Sequence, residues 1–394
     1  MRVLISGAGI AGPTLAYWLA CHGMTPTIME RAPALRTGGY VVDFWGAGFD
    51  VAKRMDLLPD LLRVGYTVRE VRVVDRKGQR VSGFPVTAFT RAMAGSFTSL
   101  PRGDLASAIY DALAGRVETI FGDTIAGIEQ TPDDVRVTFD RHGGRTFDLV
   151  VGADGLHSRV RELVFGPERR FERYLGIKVA AFEVEGYRPR DELTYMMYPE
   201  VGQEVSRFSM RNDRTMFLFT FADSDPTLPS DARGQKAVLT DRFGKSGWEC
   251  RRILDALQTA NELYFDRVSQ IDMGDAPGSW ANGRVALVGD AAFCISLLGG
   301  QGSALAMAAA YVLAGELERA VGRHDEAFAR YQQLFGPFVS MKKRAARRFA
   351  GAFAPKSIFS LFLRNQIFRL LSIGWIADLA VGRGFSDRLT LPNY

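Results

Sequence analysis

The sequence predicts an α/β protein: a Rossmann-like domain interleaved with an antiparallel-sheet domain, followed by a C-terminal helical extension. Three observations predict it. A G-x-G-x-x-G motif, Gly7, Gly9 and Gly12, lies between a β-branched run and a helical stretch. Two further buried-strand patterns, in segments 148–155 and 283–292, each run into a glycine–aspartate pair. Between them, about 120 residues contain several runs that alternate with period two.

Segment 2–6 is a short strand, and the following helix carries Leu15, Ala16, Leu19 and Ala20 on its apolar positions. These twenty residues read as strand and helix rather than as a secretory leader. A second strand, 25–29, ends at Glu30, which stands 21 residues after Gly9. Each part has a physical task. Gly7 permits the tight turn, Gly9 lets the backbone approach a pyrophosphate, and Gly12 lets helix and strand pack closely. The helix N-terminus turns free N–H groups and a positive dipole end toward the anion. Glu30 is placed to accept hydrogen bonds from a ribose diol. A glycine turn that packs a βα unit without a nucleotide is the competing reading. The ordered set of strand, helix, strand and terminal acid argues against it.

The second pattern ends in Asp154 and Gly155, followed by Ser158 and Arg161. The third ends in Gly289 and Asp290. It leads into a glycine-rich loop, Leu298 to Gly302, and an alanine-rich helix expected over 303–320. In order and spacing these three motifs resemble the group A flavin monooxygenases, the family of p-hydroxybenzoate hydroxylase. The likeness covers roughly residues 1–335 and is nearest in feel to tetracycline-inactivating and polyketide-tailoring hydroxylases.

The resemblance implies non-covalent FAD, NAD(P)H as a transient co-substrate, and O2. The reaction it implies is hydroxylation of a bulky aromatic or polyketide-like molecule through a flavin C4a-hydroperoxide, with no protein nucleophile. It implies cofactor contacts at Gly7, Gly9, Gly12, Glu30, Arg31, Arg36, Gly39, Arg102, Asp154, Gly155, Gly289, Asp290, Gly300, Gly302 and Ser303. Leu297, Leu298, Gly299 and Gly300 would lie beside the flavin. Clustered N–H groups there would stabilise the negative charge of its reduced form. Phe293 and Leu297 depart from the family's histidine and proline, so two rivals stay open: a flavin dehydrogenase or reductase without oxygen insertion, and a flavin-fold protein that binds a ligand without turnover. Cys294, in the same loop, has no neighbouring cysteine in sequence and reads as a packed, inert thiol.

Runs at 174–184, 193–198, 205–210 and 215–221 read as strands of the second domain, with 71–75 and the stretch to Phe97 added to the same sheet. Period two places Phe217, Phe219 and Phe221 on one face and Met216, Leu218 and Thr220 on the other. The three phenylalanines and Arg207 are the candidate substrate contacts. Sheet core is the competing reading for the phenylalanines, and a solvated surface position for the arginine. A helix over 251–263 is expected to cover the outer face, next to Trp248. The expected division is 1–70, 99–172 and 272–330 for the FAD domain, 71–98 and 173–271 for the substrate domain, and 331–394 for a helical bridge.

The chain has 394 residues and a net charge of +5, unevenly spread. Segment 331–394 holds ten Lys/Arg against two Asp/Glu, and the first 330 residues hold 39 against 42. An acidic body argues against nucleic-acid binding. The tail pattern is helical from Asp325 to Phe353, broken at Gly336-Pro337, with a basic cluster of Lys342, Lys343, Arg344, Arg347 and Arg348. A bridging helix with a solvated basic face is the expectation, and attachment to a membrane surface the weaker reading. The apolar stretch 358–380 would pack on the substrate pocket or on a dimer partner. Three scattered cysteines give neither a disulfide framework nor a metal site. A cytoplasmic monomer or homodimer is expected.

Overall fold

The computed structural model describes residues 1–36, 38, 40–93, 95–274, 276, 278–353, 355, 357–373 and 389–394. The first domain is built on a sheet whose spatial order is Ala281–Asn282, Val285–Leu287, Leu149–Gly152, Arg2–Ser6, Thr25–Glu30 and Glu118–Phe121. Its last five strands pair in parallel, and the edge hairpin is antiparallel. Such a sheet is covered on both faces, so its strands must be apolar throughout. Val3, Leu4, Ile5, Leu149, Val150, Val151, Val285, Ala286 and Leu287 are accordingly buried. The helices Ala11–Cys21 and Gly302–Arg319 pack on each other over this sheet. A third helix, Ala47–Arg54, approaches the second of these at a glycine: a Cβ at Gly48 would lie 2.4 Å from Ala304 Cα.

The second domain is a sheet ordered Tyr264–Ile271, Glu172–Glu185, Arg214–Ala222, Gln203–Ser209, Thr194–Glu200, Glu70–Val74 and Arg80–Pro85. Every junction is antiparallel except Thr194–Glu200 against Glu70–Val74, where the chain enters from the first domain. The expected strands are present, with one exception. Phe97–Pro101 leaves the sheet and pairs with Val41–Trp45 in a two-stranded ribbon. A three-stranded antiparallel sheet, Gly144–Phe147, Val135–Phe139 and Ile125–Gln130, completes the described strands. Two helices, Ala232–Phe243 and Cys250–Thr259, cover the outer face of the seven-stranded sheet through Leu239, Phe243, Ile253, Leu254 and Leu257.

The tail differs from the expectation in two ways. The helix His324–Phe353 runs through Gly336-Pro337 without a break. Pro337 removes the hydrogen bond to the Gln333 carbonyl. Burial of Tyr331, Phe335, Phe338 and Val339 along one side of the helix offsets that loss. The basic cluster is also not a solvated face. Lys343 is buried with its ammonium 3.5 Å from Asp272, Arg347 donates to Gln270 Oε1, and Lys342 stacks over the rings of Trp45 and Phe338. Arg344 and Arg348 remain exposed.

A second helix, Ile358–Leu371, lies on Arg80–Pro85. Phe368 meets Phe84, Asn365 meets Ser82, and Arg369 donates to the Val81 carbonyl. The expected apolar run to Ala380 passes beyond the described residues at 374–380. Among the described residues, no helix is long and apolar enough to cross a membrane. The last six residues return to the first domain, where the Tyr394 ring covers Gly315 and its hydroxyl donates to Glu316.

Arg364 and Glu204 form a buried ion pair at 2.7 Å between this helix and the sheet. Removing one partner of such a pair costs about 3–5 kcal/mol, whereas replacing both by apolar groups is often neutral. Thermal unfolding of Arg364→Met should therefore start well below that of the parent, and the double variant Glu204→Leu/Arg364→Met should recover most of the loss.

Candidate active site

The ends of three parallel strands converge on one side of the first sheet. At the first, Gly7 adopts φ +108°, and its N–H donates to the Met29 carbonyl at 2.6 Å. A Cβ there would lie 2.6 Å from the Ala153 oxygen. At Gly12 a Cβ would come within 1.9 Å of the Gly7 oxygen. These two glycines are fixed by packing. Gly9 is different: a Cβ would meet only the tip of the Arg102 side chain, at 3.4 Å. The following helix, Ala11–Cys21, has neither a side-chain cap nor an acidic residue in its first turn. Its N–H groups are available to an anion. Glu30 holds the loop from the next strand, accepting from Ala8 N–H at 2.8 Å and Ala32 N–H at 2.9 Å.

At the second strand end, Asp154 accepts from Ser158 Oγ, Val160 N–H and Ser6 Oγ. The aspartate thus ties the first strand to the helix Arg159–Phe165. Burial raises its pKa against those hydrogen bonds. Gly155 adopts φ +82°, and a Cβ there would have nothing within 4 Å. Arg161, fully buried, donates to the carbonyls of Ala291 and Leu156 and to Glu168. It pins the third strand end to the second.

The third end turns at Gly289, φ +65°, into the short helix Asp290–Phe293. A turn over Leu297–Gly299 and a left-handed Gly300 then lead to the helix beginning at Gly302. Asp290 Oδ1 lies 3.8 Å from where a Gly302 Cβ would be, and burial raises its pKa while Arg102 opposes the rise. Ser303 is half-buried. Cys294 is buried, its thiol directed at the Ser269 carbonyl, with burial and Asp290 pushing its pKa well above the usual value. A thiol held protonated in this way is inert. Ser296 Oγ is buried without a hydrogen-bond partner among the described residues.

The structure thus brings Gly9, Arg102, Asp290 and Gly302 together, with Glu30 and Asp154 at the flanks. Arg31 and Arg36 are exposed, Gly39 lies outside the described residues, and so does the Leu298 side chain. Leu297 packs on Ile177, Val179 and Val268 of the second sheet.

Four expected substrate contacts are corrected. Phe217, Phe219 and Phe221 turn away from this side and pack with Phe182 and Phe243 under the covering helices. The two covering helices supply the apolar residues Leu239, Phe243, Ile253, Leu254 and Leu257 that take up the three rings. Arg207 pairs with Phe217 across the strands and shares its face. It is buried, is bound to Pro189, Asp191 and Glu249, and lines an outer cavity of about 510 Å³. The opposite face carries Met216, Phe208 and Tyr195, which pack against Tyr40, Val41 and Tyr66 of the first domain. Tyr264 is 38% exposed, yet burial pushes its hydroxyl well above the usual pKa. Its ring lies 5.8 Å from that of Tyr40 of the first domain, whose pKa burial pushes up to about 12. Neither tyrosine stood out in the sequence, because each sits beside a strand end without a motif.

The description "FAD binding domain" is that of the family whose pattern matches residues 1–338. The chain belongs to that family. Its relatives include an uncharacterized protein of Mycobacterium tuberculosis H37Rv, 39% identical over 86% of this chain and 90% of its own length. A flavin-dependent monooxygenase from an unknown prokaryotic organism is 34% identical over 86% of both chains. Among solved structures, the tetracycline destructase Tet(51) superposes with a TM-score of 0.83 at 32% identity, over 100% of this chain and 99% of its own. This flavoprotein is accordingly a flavin-dependent monooxygenase by family and fold.

The residues present fit the dinucleotide. Three features make the fit: the open approach at Gly9, the uncapped helix N-terminus and the buried, unpartnered Ser296 hydroxyl. Gly9→Val should leave the protein folded, with far-UV circular dichroism unchanged, but abolish the flavin absorbance bands of the purified protein. Gly12→Val should fail differently, with the overlap at Gly7 costing on the order of 3 kcal/mol or more and lowering soluble yield.

A second prediction concerns the domain junction. His157 lies between Glu168, at 3.0 Å, and Asp266, at 3.3 Å. These partners raise its pKa from 6.5 to about 9. A raised histidine pKa stabilises fully below the unfolded value and is lost as pH rises through the folded one. Melting temperature should therefore fall between pH 6.5 and 9 more steeply in the parent than in His157→Gln.

Proposed function

We propose that the protein hydroxylates a bulky polycyclic phenol or enol, using NAD(P)H and O2. The observation that carries this reading is the aromatic junction between the first domain and the inner face of the second sheet, where the Tyr40 and Tyr264 rings meet at 5.8 Å beside the packed cluster of Tyr66, Tyr195, Phe208 and Met216. Flat, polarizable side chains with few charges suit a fused-ring substrate. The similarity to a tetracycline destructase supports a substrate of that shape, and tetracycline is the first probe.

The bound flavin would supply hydride uptake and activation of oxygen. This chain's residues would do the rest. Gly9 and the helix N-terminus would bind the pyrophosphate, and Glu30 the ribose. Arg102 and Asp290 would hold the middle of the cofactor, and Asp154 would keep the surrounding loops in register. The N–H groups at Gly300 to Gly302 would meet negative charge on the reduced ring. The aromatic side chains at this junction would exclude water from the reacting edge.

The departure at Phe293 does not favour the reductase reading. Its ring is buried against Trp280 and Phe335, at 4.9 and 5.5 Å, and belongs to the core. Turnover of tetracycline or a related polycyclic phenol under labelled oxygen gas should give a product carrying one labelled atom. Product formed without label would replace the hydroxylase with the reductase, and no stimulation of NAD(P)H oxidation by any polycyclic phenol would leave the ligand-binding alternative.

A further inference from the structure

The helix Ile358–Leu371 is amphipathic in the reverse sense. The side that meets the second sheet does so largely through polar groups. Arg364 pairs with the buried Glu204, Asn365 meets Ser82, and Phe368 adds a ring contact to Phe84. The other side carries Ile358, Phe359, Phe362, Leu363, Ile367 and Leu370, which are between 48% and 79% exposed. A helix docked on a soluble domain ordinarily buries its apolar stripe and shows its polar one to water. Here the apolar stripe is outside. A capping box between Ser357 and Ser360 closes the first turn, so the stripe is held in helical form from its start at Ile358. A hairpin tip of the second sheet extends it. Gly202 N–H donates to the Pro355 carbonyl at 2.8 Å, which sets the exposed Val201 beside the start of the helix.

The charge around this stripe has one sign. Segment 327–373 holds nine Lys/Arg and no Asp/Glu. Arg344, Arg348 and Arg369 are exposed. The first two lie on the helix that leads into this one, at i and i+4, and so on one side of it. A surface that is apolar and cationic calls for a complement that is apolar and anionic. A second copy of this chain is a poor one. Two-fold pairing through this helix would set the same acid-free segment against itself, cation facing cation with no carboxylate to answer. An anionic lipid surface meets both features, acyl chains taking up the stripe and headgroup phosphates the cations. Fourteen residues make a helix of about 21 Å, too short to span a bilayer and suited to lying along its surface.

We propose that the helix Ile358–Leu371 docks the protein on an anionic phospholipid surface. Phe359 and Phe362 insert at the level of the headgroups, and Arg344, Arg348 and Arg369 meet the phosphates. From the opposite side of the same helix, Arg364 and Asn365 hold the second sheet against that surface. The attachment is made along one helix, without a membrane span, and it does not rest on the hydroxylase reading above.

Co-sedimentation of the FAD-loaded protein with vesicles tests it. One set is phosphatidylcholine alone, and the other contains phosphatidylglycerol as about one lipid in three. The protein should partition about ten-fold more strongly onto the anionic set, and salt at about 0.5 M should release it. Phe359→Ser/Phe362→Ser alters two exposed side chains, so it should keep the flavin absorbance and melting temperature of the parent while losing vesicle binding. Phe359→Leu/Phe362→Leu preserves the stripe and should bind as the parent does. Arg344→Gln/Arg348→Gln should weaken binding to the anionic set by about ten-fold. Binding to neither set, equal binding to both, or binding that survives Phe359→Ser/Phe362→Ser would overturn the proposal. So would a lipid-free dimer in analytical ultracentrifugation that the same double substitution turns into monomer, because the stripe would then belong to a second copy.

Discussion

The site depends on backbone meeting backbone at the ends of three parallel strands. Gly7 lies against the Ala153 backbone and Gly12 against that of Gly7, while Gly289 lies against the Ala11 methyl. Larger side chains are excluded from these contacts, so the loops cannot be held by packing alone. Buried polar groups hold them instead. Asp154 gathers Ser6, Ser158 and Val160, and Arg161 joins Leu156 to Ala291. An arginine with no exposed surface is costly unless its donors are used. Here two of its bonds go to carbonyls of separate loops. The cofactor half is therefore one unit, in which shifting any loop leaves a buried polar group unpaired.

The same physics explains what could be read in the sequence. Glycine spacing was legible at Gly7 and Gly12 because close approach to backbone admits no other residue there, whereas at Gly9 and Gly302 a Cβ would find room and the motif alone marks the position. Period two correctly separated Phe217, Phe219 and Phe221 from Met216, Leu218 and Thr220. It could not say which face met the first domain, because both faces are apolar and most of both sets is buried. Amphipathic alternation identifies an inside only when the other side is wet. The deciding feature was a pair of helices, Ala232–Phe243 and Cys250–Thr259, whose own apolar residues need the phenylalanines as much as the phenylalanines need cover. Arg207 was misplaced for the same reason, since it shares that face and its partners Asp191 and Glu249 come from elsewhere in the chain.

Tyr40 and Tyr264 illustrate a different limit. Each lies on or beside a strand end that belongs to no recurring pattern, and each meets its aromatic partner from the opposite domain. Asp43 left a trace, a charge within an otherwise apolar and aromatic five-residue strand, and the ribbon register accounts for it: it sets Asp43 opposite Ser99, whose hydroxyl donates to the carboxylate.

The charge asymmetry of the chain follows from how the two domains are joined. A cleft between two separate sheets opens unless something spans it, and the tail does so with both ends on the first domain and its middle on the second. Several of its cations find partners along this path: Lys343 meets Asp272, Arg347 meets Gln270, Arg364 meets Glu204, and Arg369 meets the Val81 carbonyl, while Arg344 and Arg348 stay exposed. Two of these contacts, at Asp272 and Glu204, set the basic tail against carboxylates of the body. The helix Ile358–Leu371 needs Arg364 to reach a carboxylate buried in the sheet, and it needs Phe368 to reach Phe84 on the edge strand Arg80–Pro85. The two contacts together span the sheet from its edge to an inner strand, and the ion pair anchors the tail on the face that also carries Phe208, since Glu204 shares that side of its strand.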